Sequence, residues 1–222
     1  MYGLISLVFL AAILDWLAVF KQWQRVKMIT KPVVILVLML WFYAMTGLQG
    51  AAVIFMLALV FSLVGDIWLM LPGNYFLLGL ISFLLAHMAY LVAFTPTWPS
   101  SPVIWNILGI MLVLVGVIFF TRIRVGIIHT FGANKLMVMS GVYGIFLTLM
   151  TVSAVATLTR PDWLPAHAIQ AAAGGILFFV SDVLLAFDRF VKPVRYGRLS
   201  VRVTYHLGQI LLISGAAQHL TR

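Results

Sequence analysis

Along this chain, long apolar runs alternate with short polar breaks. The runs occupy roughly 3–20, 32–46, 51–71, 75–95, 103–121, 136–158, 166–188 and 203–219. Each comes close to the roughly 20 residues an α-helix needs to cross the hydrocarbon of a bilayer. The breaks carry turn chemistry: Thr46-Gly47, Pro72-Gly73-Asn74, Pro96 to Pro102, Arg160-Pro161-Asp162 and Lys192-Pro193. The pattern predicts an all-α polytopic membrane protein, a bundle of about eight transmembrane helices. A single integral membrane domain takes up residues 1–222. The breaks after the second and third runs are very short, so the helices they join are antiparallel neighbours. The first run has no basic residues before it and several after it, so it reads as a span rather than a cleaved signal.

Composition narrows the class further. Hydrophobic residues make up 64% of the chain and charged residues 9%, against roughly 25% charged in a soluble domain. The mean hydropathy is +1.15. There is no cysteine, which excludes disulfides, thiolate metal sites and a cysteine nucleophile. There is no glutamate either, so every acidic role falls on Asp15, Asp66, Asp162, Asp182 or Asp188.

The net charge of +9 does not point to nucleic acid, because the basic residues sit between apolar runs. They read as topology signals and contacts to membrane lipids. Twelve of the fourteen lysines and arginines fall in the breaks after the first, fifth and seventh runs; only Arg160 and Arg222 lie on the other side. The excess of positive charge on cytoplasmic loops predicts that both termini face outward. The expected place is a bacterial inner (cell) membrane.

Ionisable groups at bilayer depth cost ~2.5–3.5 kcal/mol each even on lenient scales, so they face the bundle interior and need partners. In the predicted topology, Asp66 and Asp182 lie at similar depth in the inner half of the third and seventh spans. Tyr143, Tyr205, His206 and Gln209 reach the same half, and Lys31 and Asn74 stand at its mouth. His87 and Tyr90 lie one turn apart near the midplane. The expectation is a cavity open toward the cytoplasmic side and closed from the other. Plainer readings exist: an ion pair of either aspartate with Lys31 or a hydroxyl, and a helix–helix hydrogen bond for His87. Asp15 and Asp188 read as interfacial partners of basic loops, and Gly174-Gly175 as close helix packing. Lys31-Pro32 reads as a helix start with proline in the first turn. The segments around Asp66 and Asp182 share a short pattern, which either an old duplication or chance explains.

Taken in order, a set of these residues resembles a known family. The set is Lys31-Pro32, Gly65-Asp66, then Phe76, Gly79, Phe83, His87 and Tyr90 at helical spacing. Gly175, Phe178 and Ser181-Asp182 follow, and Tyr205 with Gln209 completes it. The sequence is similar to the YhhN-type lysoplasmalogenases, eight-span membrane proteins, and the resemblance covers nearly the whole chain. It implies hydrolysis of the vinyl ether bond of alkenyl lysophospholipids to a fatty aldehyde and glycerophospho-choline or -ethanolamine. It implies a pair of catalytic aspartates, matching Asp66 and Asp182, and no cofactor or metal. The Lys-Pro, His and Tyr/Gln positions match Lys31, His87, Tyr205 and Gln209.

The residues suit that chemistry. A vinyl ether resists base and yields to acid: slow protonation of the β-carbon gives an oxocarbenium ion, water adds, and the hemiacetal collapses. A proton donor and a stabilising anion are required, and two carboxyls in different environments supply both. Here Asp66 and Asp182 take these roles in an unassigned order. His87, Tyr90, Tyr143, Tyr205 and Gln209 orient the carboxyls and water, and Lys31 and Asn74 hold the phosphate. Other classes stay open: a metal-dependent lipid hydrolase using Asp66, His87, Asp182 and His206, a proton-coupled lipid or small-molecule transporter, and a lipid-binding scaffold.

Overall fold

The structure is a computed structural model that describes residues 2–73, 75–95, 102–118, 121–122 and 134–222. Among these the protein is all-α, without strands. Eight helices follow one another: α1 (Tyr2–Phe20), α2 (Gln24–Thr46), α3 (Ala52–Met70), α4 (Phe76–Phe94), α5 (Pro102–Ile118), α6 (Asn134–Ala156), α7 (Pro165–Phe190) and α8 (Gly197–Leu220). A 3₁₀ turn, Thr157–Thr159, extends α6. Six of the helices, α1 to α4, α6 and α7, are long and apolar enough to cross a membrane. The chain is an integral membrane protein of several spans. α5 is 17 residues long and α8 carries Arg198, Arg202, His206, Gln209 and His219; neither joins that set. Large apolar side chains such as Leu10, Leu40, Ile110 and Val113 lie outward and exposed, as they do on a surface solvated by lipid.

Two helix starts differ from the expectation. α2 begins at Gln24, so Lys31-Pro32 lies inside the helix, not at its start. Lys27 and Lys31 are helical, and Pro32 leaves the Met28 carbonyl without its usual N–H partner. α8 begins at Gly197, which makes Arg198 and Arg202 helical as well. Hydropathy marks where a helix turns apolar, not where its backbone begins. Of these cations, Lys31 and Arg202 turn inward to the carboxylates of Asp66 and Asp15, while Lys27 and Arg198 stay at the cavity mouth.

α8 sits at the centre of one side, packing closely on α7 and touching α1, α2 and α3. Small residues permit the close α7–α8 crossing, as expected of Gly174. A Cβ on Gly174 would collide with the Leu212 backbone nitrogen, and one on Gly208 would lie 2.9 Å from the Phe178 nitrogen. α3 and α4 approach closely through Gly65 and Gly79; a Cβ on Gly65 would lie 2.7 Å from the Phe83 ring. The end bearing the α6–α7 turn is filled by aromatic groups. Phe55, Phe94 and Trp163 pack in sequence, and His219 stacks on Trp163 at 4.0 Å. Arg160 closes this end, donating to the Phe94 carbonyl at 2.8 Å and pairing with Asp162 through two nitrogens.

Candidate active site

Both aspartates lie toward the opposite end, where α1 and α2, α3 and α4, and α7 and α8 are joined. Asp66 on α3 is buried. Its Oδ1 is 2.7 Å from the Lys31 ammonium of α2, and its Oδ2 accepts the Tyr205 hydroxyl of α8 at 2.9 Å. Gly65 beside it lets the Phe83 ring lie flat against α3. Behind Tyr205 stands a second layer. Gln209 donates to the Ser62 hydroxyl at 2.9 Å and to the Tyr205 oxygen at 3.5 Å, and its Oε1 accepts the Tyr90 hydroxyl at 2.5 Å. Gln209 therefore has every polar atom engaged, as a buried amide requires.

Asp182 on α7 has a different environment. Its Oδ2 accepts the Tyr143 hydroxyl of α6 at 2.5 Å and lies 3.2 Å from Nε2 of His87 on α4. The same nitrogen is 3.0 Å from the Tyr143 oxygen. Among the described residues no hydrogen bond reaches Oδ1 of Asp182. The Phe178 ring packs on both His87 and Tyr205, at 5.0 and 5.4 Å between centroids, and so separates the two networks.

Two cavities meet here. The larger, about 720 Å³, is lined by Lys31, Asp66, Phe83, Ser181, Asp182 and Tyr205 at its base, and by Lys27, Asp188, Arg198 and Arg202 toward the turns. The smaller, about 90 Å³, is lined almost wholly by apolar side chains of α3 to α7, among them Phe76, Leu80, Val115 and Phe190. Leu69, Phe83, Asp182 and Leu185 border both. Asp182 is the ionisable residue at the junction.

Of the residues singled out in the sequence, Lys31, Asp66 and Tyr205 form one group and His87, Tyr143 and Asp182 another, with Tyr90 and Gln209 behind the first. Asn74 lies outside the described residues. Among the described residues no three His or Asp side chains converge as a metal site requires. Asp15 is not interfacial: it is fully buried, 2.7 Å from Nη1 of Arg202, and accepts the Thr30 hydroxyl at 2.7 Å. His206 is also buried and accepts the Trp16 indole N–H at 3.2 Å. Sequence reasoning missed this α1–α2–α8 network. Its signal was present: Asp15 is the one acidic residue of the first span, and Arg202 and His206 stand four apart on one face of α8.

Fold and site together define an α-helical membrane protein with one buried and one partly buried carboxylate, Asp66 and Asp182, at the base of an end-facing cavity. The chain belongs to the YhhN family, whose model matches residues 26–216. It is 31% identical over 205 residues to the lysoplasmalogenase TMEM86B of Mus musculus, a match covering 89% of this chain and 77% of that protein. Rattus norvegicus lysoplasmalogenase TMEM86B is 29% identical over 202 residues, 88% of this chain and 74% of the relative. Homo sapiens lysoplasmalogenase TMEM86A is 29% identical over 163 residues, 72% of this chain but only 63% of that relative. No solved structure matches the chain.

Proposed function

We propose that this protein hydrolyses the vinyl ether bond of alkenyl lysophospholipids by acid–base catalysis, with Asp182 as general acid and Asp66 as the stabilising anion. The observation that carries this reading is the position of Asp182 between a wide cavity with a polar mouth and a narrow apolar one. A lysophospholipid has the same division: a glycerophospho head, an alkenyl chain, and the vinyl ether between them. With the head in the first cavity and the first methylenes of the chain at the second, whose volume of about 90 Å³ takes only a few of them, the reacting carbons fall beside Asp182. The printed names of the relatives, lysoplasmalogenases, support the same substrate class.

The assignment of roles follows from the hydrogen bonds. Both donors to Asp182 fall on Oδ2, so a proton on Oδ1 is free for the substrate. Asp66 is held as a carboxylate by the Lys31 ammonium and the Tyr205 hydroxyl. Asp182 transfers its proton to the β-carbon of the vinyl ether, leaving an oxocarbenium ion. The Asp66 charge stabilises that cation, and the Asp182 carboxylate accepts a proton from water as its oxygen bonds to the α-carbon. The hemiacetal then releases the glycerol oxygen as an alcohol and the chain as an aldehyde. His87 and Tyr143 orient Asp182; Tyr90 and Gln209 orient Tyr205 and, through it, Asp66.

The same reading has eight membrane crossings, both termini outward and the cavity facing the cytoplasm. Lys21, Arg25, Lys27, Arg189, Lys192, Arg195 and Arg198 all gather about the α1–α2 and α7–α8 turns at that end, which supports the orientation.

The test is aldehyde release from an alkenyl lysolipid in detergent by the native chain, Asp182→Asn and Asp66→Asn. A lost general acid lowers turnover by about 10²–10⁴-fold. Full activity in either variant overturns the two-carboxylate mechanism.

A further inference from the structure

The mouth of the larger cavity holds two cations, Lys27 and Arg198, that form no ion pair among the described residues, although Asp188, whose Oδ1 accepts the Val194 N–H, lines the same mouth. Four cations line this cavity: Lys27, Lys31, Arg198 and Arg202. Two of them have partners. Lys31 is paired with Asp66, and Arg202 with Asp15, each at 2.7 Å. Lys27 and Arg198 have neither a carboxylate partner nor a side-chain hydrogen bond among the described residues. Lys27 also stands in the repulsive fields of Arg198 and Arg202, with buried Asp15 as the opposing charge. Like charges brought from two helices to one opening are relieved by an anion between them.

The turn that carries Arg198 has a fixed shape. Asp188 Oδ1 accepts the Val194 N–H at 2.8 Å, and the Gly197 N–H donates to the Val194 carbonyl at 2.8 Å. A Cβ on Gly197 would lie 2.6 Å from Asp188 Oδ1, so only glycine fits this arrangement. Asp15, buried behind the wall, fixes Arg202 and Thr30 in the same way. The backbone that carries Arg198 and the Arg202 side chain are thus held in place, while the heads of Lys27 and Arg198 are left for a ligand.

We propose that Lys27 and Arg198 form the subsite for the phosphodiester of the lysophospholipid headgroup, with Arg202, held by Asp15, as its back wall. This rests on the substrate class proposed above. It moves phosphate recognition away from Lys31, whose ammonium is engaged by Asp66. A phosphodiester carries one negative charge, and the flat guanidinium of Arg198 matches two of its oxygens at once. The subsite selects a phosphate-bearing lysolipid over an alkenylglycerol that lacks the phosphodiester, and it anchors the head so that the vinyl ether reaches Asp182.

Binding is measured on the full chain in neutral detergent, without turnover. The probes are a saturated 1-O-alkyl glycerophosphocholine, the corresponding 1-O-alkylglycerol, and inorganic phosphate as competitor. The native chain is expected to bind the phosphate-bearing ether at least about tenfold more tightly than the alkylglycerol. Lys27→Gln with Arg198→Gln brings the two ligands within about twofold, and the charge-preserving pair Lys27→Arg with Arg198→Lys retains a preference. No preference in the native chain, a full preference in the Gln pair, or its loss in the charge-preserving pair overturns the subsite. Full displacement by inorganic phosphate, with both ethers binding equally, assigns the cations to free phosphate and overturns the headgroup role. A chain that shows the preference yet releases no aldehyde from an alkenyl lysolipid keeps the subsite and loses the hydrolase reading. Aldehyde release without the preference does the reverse.

Discussion

Asp66 and Asp182 are the same residue type toward the same end of the bundle, and their neighbours make them different. Asp66 is bound by a full positive charge, Asp182 by a hydroxyl and an imidazole that both meet one oxygen. Removing one partner of a buried ion pair leaves the other uncompensated and costs roughly 3–5 kcal/mol. Lys31→Met is therefore expected to lower the melting temperature in detergent sharply. Adding Asp66→Asn, which keeps an acceptor for Tyr205 and removes the stranded charge, restores most of that stability but no activity. A double variant as unstable as the single one would show that Lys31 acts through packing alone. At the other carboxyl, Tyr143→Phe deletes one donor and leaves His87. A hydrogen bond to a charged group contributes about 1.5–3 kcal/mol, so kcat for aldehyde release falls by about 10- to 100-fold while KM holds. The sequence made both aspartates legible, because an ionisable group at bilayer depth stands out against apolar neighbours. Lys31, His87, Tyr143 and Tyr205 were legible as candidate partners, but which carboxyl each meets was not: His87 and Asp182 are 95 positions apart, and which helix faces turn toward one another depends on packing that no local pattern records.

At the level of helices, the apolar runs located each of the eight described helices, and the breaks located most ends to within a few residues. The starts of α2 and α8 were the exceptions, and both concern function. Each begins several residues before its apolar run, in a segment rich in lysine and arginine. Those early turns carry Lys27, Lys31, Arg198 and Arg202 into the cavity. Read as loop residues, Lys27, Arg198 and Arg202 were only topology signals, and Lys31 a residue of the cavity mouth; all four are helical. The α7–α8 contact can be tested directly. Gly174→Ala puts a methyl group into the Leu212 backbone, and overpacking of this kind costs about 1–3 kcal/mol. A lowered melting temperature is expected in that variant. Gly116→Ala, where a Cβ meets nothing within 4 Å, should leave it unchanged. Equal melting temperatures for the two would argue against the close crossing. Because α7 carries Asp182 and α8 carries Tyr205, the same substitution separates the two networks and lowers activity.

Among the described residues, the two carboxylate networks lie toward one end, and the other is filled by aromatic rings and closed by the Arg160–Asp162 pair. This lopsidedness was visible once charge and depth were read together. The division of the cavity was not, since it arises where α3 to α7 leave a narrow apolar space beside the wide one. That division governs the fate of the products. The substrate is amphiphilic and belongs at the membrane–water boundary. Its two fragments do not: the glycerophospho alcohol is at home in water and the long aldehyde in hydrocarbon. In the proposed reaction each is formed on its own side of Asp182, the alcohol in the wide cavity and the aldehyde at the narrow apolar one. On that reading the partition of the fragments between bilayer and water would draw the reaction forward and keep them from meeting again, so that two immiscible solvents become part of turnover.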